Sequence, residues 1–254
     1  MKTLLADFHI HSLLSPCAEI EMTPHNIMMK AAAMGLGAIA LTDHNASGNL
    51  PAAIRLQEKY GVKVFPGMEV ECKEEAHIVV LFDKMRQMAA WQKIVDAVHS
   101  GRQNLPDKFG AQFVVDEDDN LVTEEKRMLL GPLKISAAEV VRQVNALGGM
   151  CFAAHVDRPS CSMLMSLGFI PPDMGFAAAE ISRNSLEELK ELKLKARVGN
   201  LPYVTDSDSH WIQAFLDGPK NRITVQDLTL AELKLALAGK DGRSWQAGVF
   251  AQLK

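Results

Sequence analysis

Six of the eight histidines, interleaved with carboxylates, stand where apolar runs of the chain stop: His9-Ile10-His11, Asp43-His44, Glu69, His77, His155 and Asp208-Ser209-His210. That order restricts the fold, because donors spread over the whole chain can meet only if the ends of many strands open on one face. Residues 4–10, 38–42, 62–66, 77–82, 150–154, 177–182 and 203–206 read as strands, and 24–34, 50–60, 85–99, 137–147 and 186–196 as amphipathic helices. Thr23 before Pro24, and Ser136 three residues before Glu139, are helix-start signals, while Gly35, Gly61, Gly148-Gly149 and Gly199 mark ends.

Strand and helix alternating without a domain-sized linker predict an α/β fold, either a parallel barrel or an open doubly wound sheet. The donors favour the barrel, since an open sheet would hold its outer strands too far apart for His11, His44, Glu69, His155 and His210 to converge. One domain over 1–254 is expected, as a chain of this length builds a single large core. Residues 101–135 break the alternation and read as an inserted hairpin or lid over the active face, with a solvated acidic turn at Asp116-Glu117-Asp118-Asp119-Asn120.

Composition narrows the partners. A net charge of −4 and no basic tail argue against duplex nucleic acid and leave a small phosphorylated substrate or a short oligonucleotide. The start Met1-Lys2-Thr3-Leu4-Leu5-Ala6-Asp7 reads as neither leader nor membrane span, so a cytoplasmic protein is expected. Cys17, Cys72, Cys151 and Cys161 lack CxxC spacing and are expected to be reduced.

Imidazoles and carboxylates lining one cleft are the donor set of zinc, iron or manganese, and they disfavour magnesium as a tight native ion. Asp7, Asp43 and Asp206 are placed to orient ligands from behind, with Asp43 and Asp206 candidates for a catalytic part. Arg158 and Arg183 follow strand ends and are the first candidates to grip phosphate through a guanidinium fork, ahead of Arg102 and Lys108. His25 and His99 fall on helices and read as ordinary packing residues.

Taken in order, Asp7-Phe8-His9-Ile10-His11-Ser12, Thr42-Asp43-His44-Asn45, Gly67-Met68-Glu69, Ala154-His155 and Ser207-Asp208-Ser209-His210 resemble the motif signature of the polymerase and histidinol phosphatase (PHP) superfamily, over nearly the whole chain. The resemblance implies a distorted (β/α)7 TIM-like barrel with two or three divalent ions that hydrolyses phosphomonoesters or short phosphodiester ends with a metal-activated hydroxide. It implies His9, His11, Glu69 and Asp208 around one ion, Glu69 bridging to a second held by His77 and His155, and His44 with His210 on a third. Relatives carry a further ligand shortly after the first histidine pair; here Glu19, and behind it Cys17, are the substitutes. Two alternatives remain: an amidohydrolase-like barrel acting on C–N bonds, and a non-catalytic metal-binding barrel.

Overall fold

The computed structural model describes residues 1–182 and 197–250, and curls nine of their strands into one nearly closed, barrel-shaped sheet. Around the sheet the order is β11 (Ser244–Phe250), β10 (Pro219–Val225), β1 (Lys2–Ile10), β2 (Leu36–Leu41), β3 (Lys63–Glu71), β4 (His77–Leu81), β7 (Met150–Ala153), β8 (Ala178–Glu180) and β9 (Tyr203–Val204). Past β9 the chain returns to β1, where the His11 N–H donates to the Ser209 carbonyl at 3.0 Å and the Phe8 N–H to Asp206 Oδ1 at 2.6 Å.

Alternation along the strands creates two cores. Phe8, Phe65, Val79, Leu81 and Phe152 fill the barrel, while Val64, Ile78, Val80 and Cys151 point outward under the helices. Helix Pro24–Ala33 lays Ile27, Met28 and Ala31 on that outer face, and helix Ala137–Ala146 lays Val140, Val141 and Val144 there. Both begin where sequence signals placed them, with the Thr23 and Ser136 hydroxyls accepting from the Asn26 and Glu139 amides.

The sheet is not uniformly parallel. β3 pairs parallel with β2 from Lys63 to Pro66, then antiparallel with β4 from Gly67 to Glu71. Pro66 has no N–H to give a ladder and Gly67 passes so close to β2 that a Cβ would lie 2.8 Å from the Leu41 carbonyl, so the pair marks the handover. Reading a strand end at Pro66 therefore stops β3 short of Glu69. Because β4 runs the other way, His77 reaches the ligand face from the start of its strand, whereas His155 does so from just beyond the end of β7.

Helix 50–60 is two pieces, Leu50–Arg55 and Gln57–Tyr60, and the segments β10, Leu230–Leu237 and β11 extend the fold beyond the predicted elements. β10 escaped notice because it opens Pro219-Lys220-Asn221, polar in sequence yet fully buried at Lys220 and Asn221. The predicted helix 186–196 lies outside the described residues.

Within 101–135, β5 (Phe113–Val115) and β6 (Leu121–Glu124) form a separate antiparallel pair turning through Asp116 to Asn120. The segment lies against the loops after β1 and β2: Asn49 bonds Phe113 and Val115, and Leu129 packs with Leu14 and Ala46. His25 and His99 fasten it, bonding the carbonyls of Glu117 and Met128 at 3.0 and 2.9 Å. No helix among the described residues is long and apolar enough to cross a membrane, and Cys17, Cys72, Cys151 and Cys161 are all free thiols.

Candidate metal centre

Glu69 sits at the centre of five imidazoles and is 1% exposed. Its Oε1 lies 2.9 Å from His77 Nδ1, 3.1 Å from His155 Nε2 and 3.3 Å from His9 Nε2. Its Oε2 lies 3.0 Å from His44 Nδ1 and 3.3 Å from His11 Nε2. Asp208 Oδ1 comes from the segment after β9 that lies beside β1, 3.3 Å from His9 Nε2 and 3.2 Å from His11 Nε2, which are themselves 3.2 Å apart.

Those spacings fit a cation. Four ligands about 2.0–2.1 Å from a tetrahedral zinc stand about 3.3 Å from one another, close to the mutual separations of His9 Nε2, His11 Nε2 and Asp208 Oδ1 here, with a Glu69 oxygen 3.3 Å from each imidazole. Two imidazole nitrogens facing each other also leave one of them without a natural partner unless a cation lies between. Among the described residues, three groups bring donor atoms within 4.8 Å of one another: His9, His11, Glu69 and Asp208; His44, Glu69 and His77; and His11, His44 and His210. His155 touches Glu69 yet belongs to none of the three, and His44 approaches Glu69 as well as His210.

Burial opposes charge on Glu69, His9 and His210, and how far close partners offset it differs among the three. Glu69 is buried, which alone would raise its pKa, but His77, His9 and His44 hold it well below the usual carboxylate range. Buried His9 is nonetheless raised well above an ordinary imidazole by Glu180, Asp208 and Glu69. His210 goes the other way, lowered to about 3 by burial and by the neighbouring His11. His155 and Asp208 hold backbone φ values of +25° and +44°, costing about 1–3 kcal/mol each for residues other than glycine, strain that the surrounding contacts must sustain.

Glu180, at the end of β8, is the site residue that sequence reading passed over. Both its oxygens meet His9 Nδ1, at 2.9 and 3.1 Å, so it fixes the ring with Nε2 facing the cluster. The one available signal was an acid closing a buried strand. Glu180→Gln keeps the shape but weakens that carboxylate–imidazole bond, and metal affinity should fall about 10- to 100-fold in competition with a chromogenic chelator; unchanged affinity would leave Glu180 a packing residue.

The other carboxylates differ from expectation. Asp43 accepts from the Ser12 N–H and hydroxyl at 2.7 and 2.6 Å and from the Ser15 hydroxyl at 2.7 Å, and Ser15 Oγ stands 3.0 Å from His11 Nδ1. It thus acts on His11 through Ser15 and is not aimed at a reacting atom. Asp7 does not reach an imidazole either: Lys220 Nζ is 2.9 Å from its Oδ2. Asp206 accepts from the Phe8 N–H and, at 2.8 Å, from Asn221; burial, Asp7 and Glu180 together push its pKa well up. Arg158 Nη2 is 2.5 Å from Asp208 Oδ2, so the guanidinium is engaged with a candidate ligand, not free. Glu19 and Cys17 are exposed, and neither joins a donor group among the described residues. Arg102 and Lys108 are exposed on the inserted segment, and Arg183 lies outside the described residues.

A cleft of about 440 Å³ opens beside the cluster, between His155, Arg158, Asp208 and Trp211.

Comparison with known proteins gives this geometry a family. A phosphoribosyl 1,2-cyclic phosphate 1,2-diphosphodiesterase of Eggerthella lenta is 34% identical over 67 residues, 26% of this chain and 24% of that protein. The lesion-specific endonuclease Q of Pyrococcus furiosus superposes with a TM-score of 0.67 at 20% identity, over 96% of this chain and 58% of that one. A second endonuclease Q structure, in complex with a 27-mer duplex substrate with an abasic lesion at the active site, matches with a TM-score of 0.63 at 20% identity over the same shares. A Bifidobacterium adolescentis protein assigned as a metal-dependent phosphoesterase matches with a TM-score of 0.54 at 18% identity, over 81% of this chain and 87% of that one. The chain thus spans about a quarter of the curated relative and under two thirds of the endonuclease. That endonuclease, which extends well beyond the part matched here, is described with a duplex substrate. The model of the PHP domain matches residues 7–162, more than half of the sequence and the part that carries His9 through His155, and the chain belongs to the PHP domain family.

Proposed function

We propose that the protein is a metal-dependent phosphoesterase whose ions are held by His9, His11, Glu69, His44, His77, His155, Asp208 and His210. The observation that carries the reading is Glu69, a buried carboxylate that belongs both to the group with His9, His11 and Asp208 and to the group with His44 and His77, as a ligand shared between cations requires. Bound divalent ions would polarise the phosphoryl oxygens, supply the nucleophile by lowering the pKa of a coordinated water, and neutralise charge on the leaving oxygen. Zinc, iron and manganese suit these donors.

The chain's own residues hold and orient. Glu180 sets the His9 ring, Ser15 braces His11 while accepting the His44 N–H at 3.2 Å, and Asn45 ties the loop after β2 to β3 through the Glu71 N–H. Arg158 is placed to exchange its bond with Asp208 Oδ2 for a phosphate oxygen in the adjoining cleft. Arg158→Ala should lower kcat/KM about 10- to 100-fold in phosphate-release assays. Because Asp208 also loses its partner, some weakening of metal retention should accompany the loss. An unaltered kcat/KM would remove Arg158 from the reaction.

Small phosphorylated metabolites, mononucleotides and nucleic-acid ends all come within this reading. The deciding experiment loads the protein with zinc, iron or manganese and presents nucleotides, sugar phosphates, histidinol phosphate, and single-stranded and duplex oligonucleotides. Metal-dependent release of phosphate or nucleotide is expected. Release from none of them, or cleavage of C–N bonds instead, would overturn it.

A further inference from the structure

Trp211 occupies a place that local structure does not explain. It is the N-cap of helix Ile212–Asp217, a position that favours Ser, Thr, Asp or Asn because a short side-chain oxygen can accept from the first free amides, and Trp211 makes no such bond. Half of its surface is exposed, an unfavourable setting for the largest aromatic side chain unless something covers it. No hydrogen bond of its indole is present among the described residues. It directly follows His210, and it forms the wall of the cleft that also holds Arg158, His155 and Asp208.

The cleft therefore joins three chemistries within one volume of about 440 Å³. The candidate ligands His155 and Asp208 border one side. Arg158, still 41% exposed, supplies a cation beside them. Trp211 supplies a broad π-face without a charge of its own. A phosphate at the first two and a planar ring on the third describe a phosphoester that carries a planar ring, and a volume of this size accommodates one as large as a mononucleotide.

We propose that Trp211 is a stacking platform for a nucleobase, and so selects phosphoesters of nucleosides, free or at the end of a strand, over phosphates that lack a planar ring. The proposal rests on the phosphoesterase reading for its phosphate end and on Trp211 for its base end. Stacking is tolerant of base identity, because every base presents a π-face. The cleft thus distinguishes ring from no ring much more strongly than one base from another.

The test compares adenosine 5′-monophosphate with ribose 5-phosphate on the metal-loaded wild type, Trp211→Ala and Trp211→Phe, reading calorimetric Kd as well as kcat/KM. The wild type should favour the nucleotide in both. Trp211→Ala should weaken nucleotide binding about 10- to 100-fold and collapse the preference over ribose 5-phosphate, while Trp211→Phe retains most of it. Metal content measured on each variant separates this from damage to the neighbouring His210. Equal losses on both ligands, an undiminished preference in Trp211→Ala, or no nucleotide binding by the wild type would overturn the platform. Hydrolysis of both compounds without a preference would overturn it and leave the phosphoesterase reading standing. Nucleotide binding that depends on Trp211 with no hydrolysis would do the reverse.

Discussion

Glu69→Gln is expected to empty the centre. The substitution preserves volume at a position 1% exposed but removes a charge that five imidazoles surround. No single histidine belongs to both groups that contain a carboxylate, whereas Glu69 does. An amide coordinates through one weak oxygen and cannot bridge two cations, so a shared ion pair has nothing to hold it together. Elemental analysis of the purified variant should find fewer than one ion per chain, and kcat/KM should fall by at least about 1000-fold. His77→Ala provides the comparison and should retain ions at His9, His11, Glu69 and Asp208. A Glu69→Gln protein that still carries two tightly held ions would exclude Glu69 as the bridge.

The largest effect on stability should come from Lys220, which lies away from the ligands. Its side chain is fully buried, with Nζ donating to the Phe215 and Gly218 carbonyls at 2.8 and 3.1 Å and standing 2.9 Å from Asp7 Oδ2. Asp7 is also fully buried, and Asp206 and Glu180 lie near enough that their charges act together. Lys220 is thus the buried cation paired with Asp7 two residues before His9. In Lys220→Met the aliphatic volume remains and the positive charge goes, leaving a buried carboxylate uncompensated. Removing one partner of a buried pair costs about 3–5 kcal/mol, to be read as a lower midpoint in urea unfolding of the metal-free protein. The double variant Asp7→Asn, Lys220→Met should recover much of it, because the unpaired charge is gone as well. A loss below about 1 kcal/mol, the range of a surface pair, would mean that Lys220 contributes only its packing.

The same contacts bear on how the ligands are held. Asp7 accepts from the Ser207 N–H at 3.1 Å, and Asp206 from the Phe8 N–H at 2.6 Å, so the β1 strand that carries His9 and His11 is clamped to the segment that carries Asp208 and His210. Loosening Lys220 should therefore weaken metal binding as well as the fold. Glu180→Gln, which leaves this clamp intact, should weaken metal binding alone.

What the sequence determined by itself is the order of the histidines and acids along the chain and the barrel-shaped sheet that gathers them. Histidines and acids at the ends of apolar runs are local facts, and strand, helix and cap signals depend on neighbours a few residues away, as the observed starts at Thr23 and Ser136 illustrate. Only the tertiary structure decided which donors face which. His44 meets Glu69 because β3 continues through Pro66 and Gly67, and His77 does so because β4 is reversed, neither of which a strand pattern reveals. It also decided the roles of the charged residues. Arg158 pairs with Asp208, Asp43 works through Ser15, Asp7 belongs to Lys220, and Glu180 orients His9 across a large sequence separation. The physical reason is that a charge acts through distance and burial, which depend on chain packing; sequence spacing reports neither.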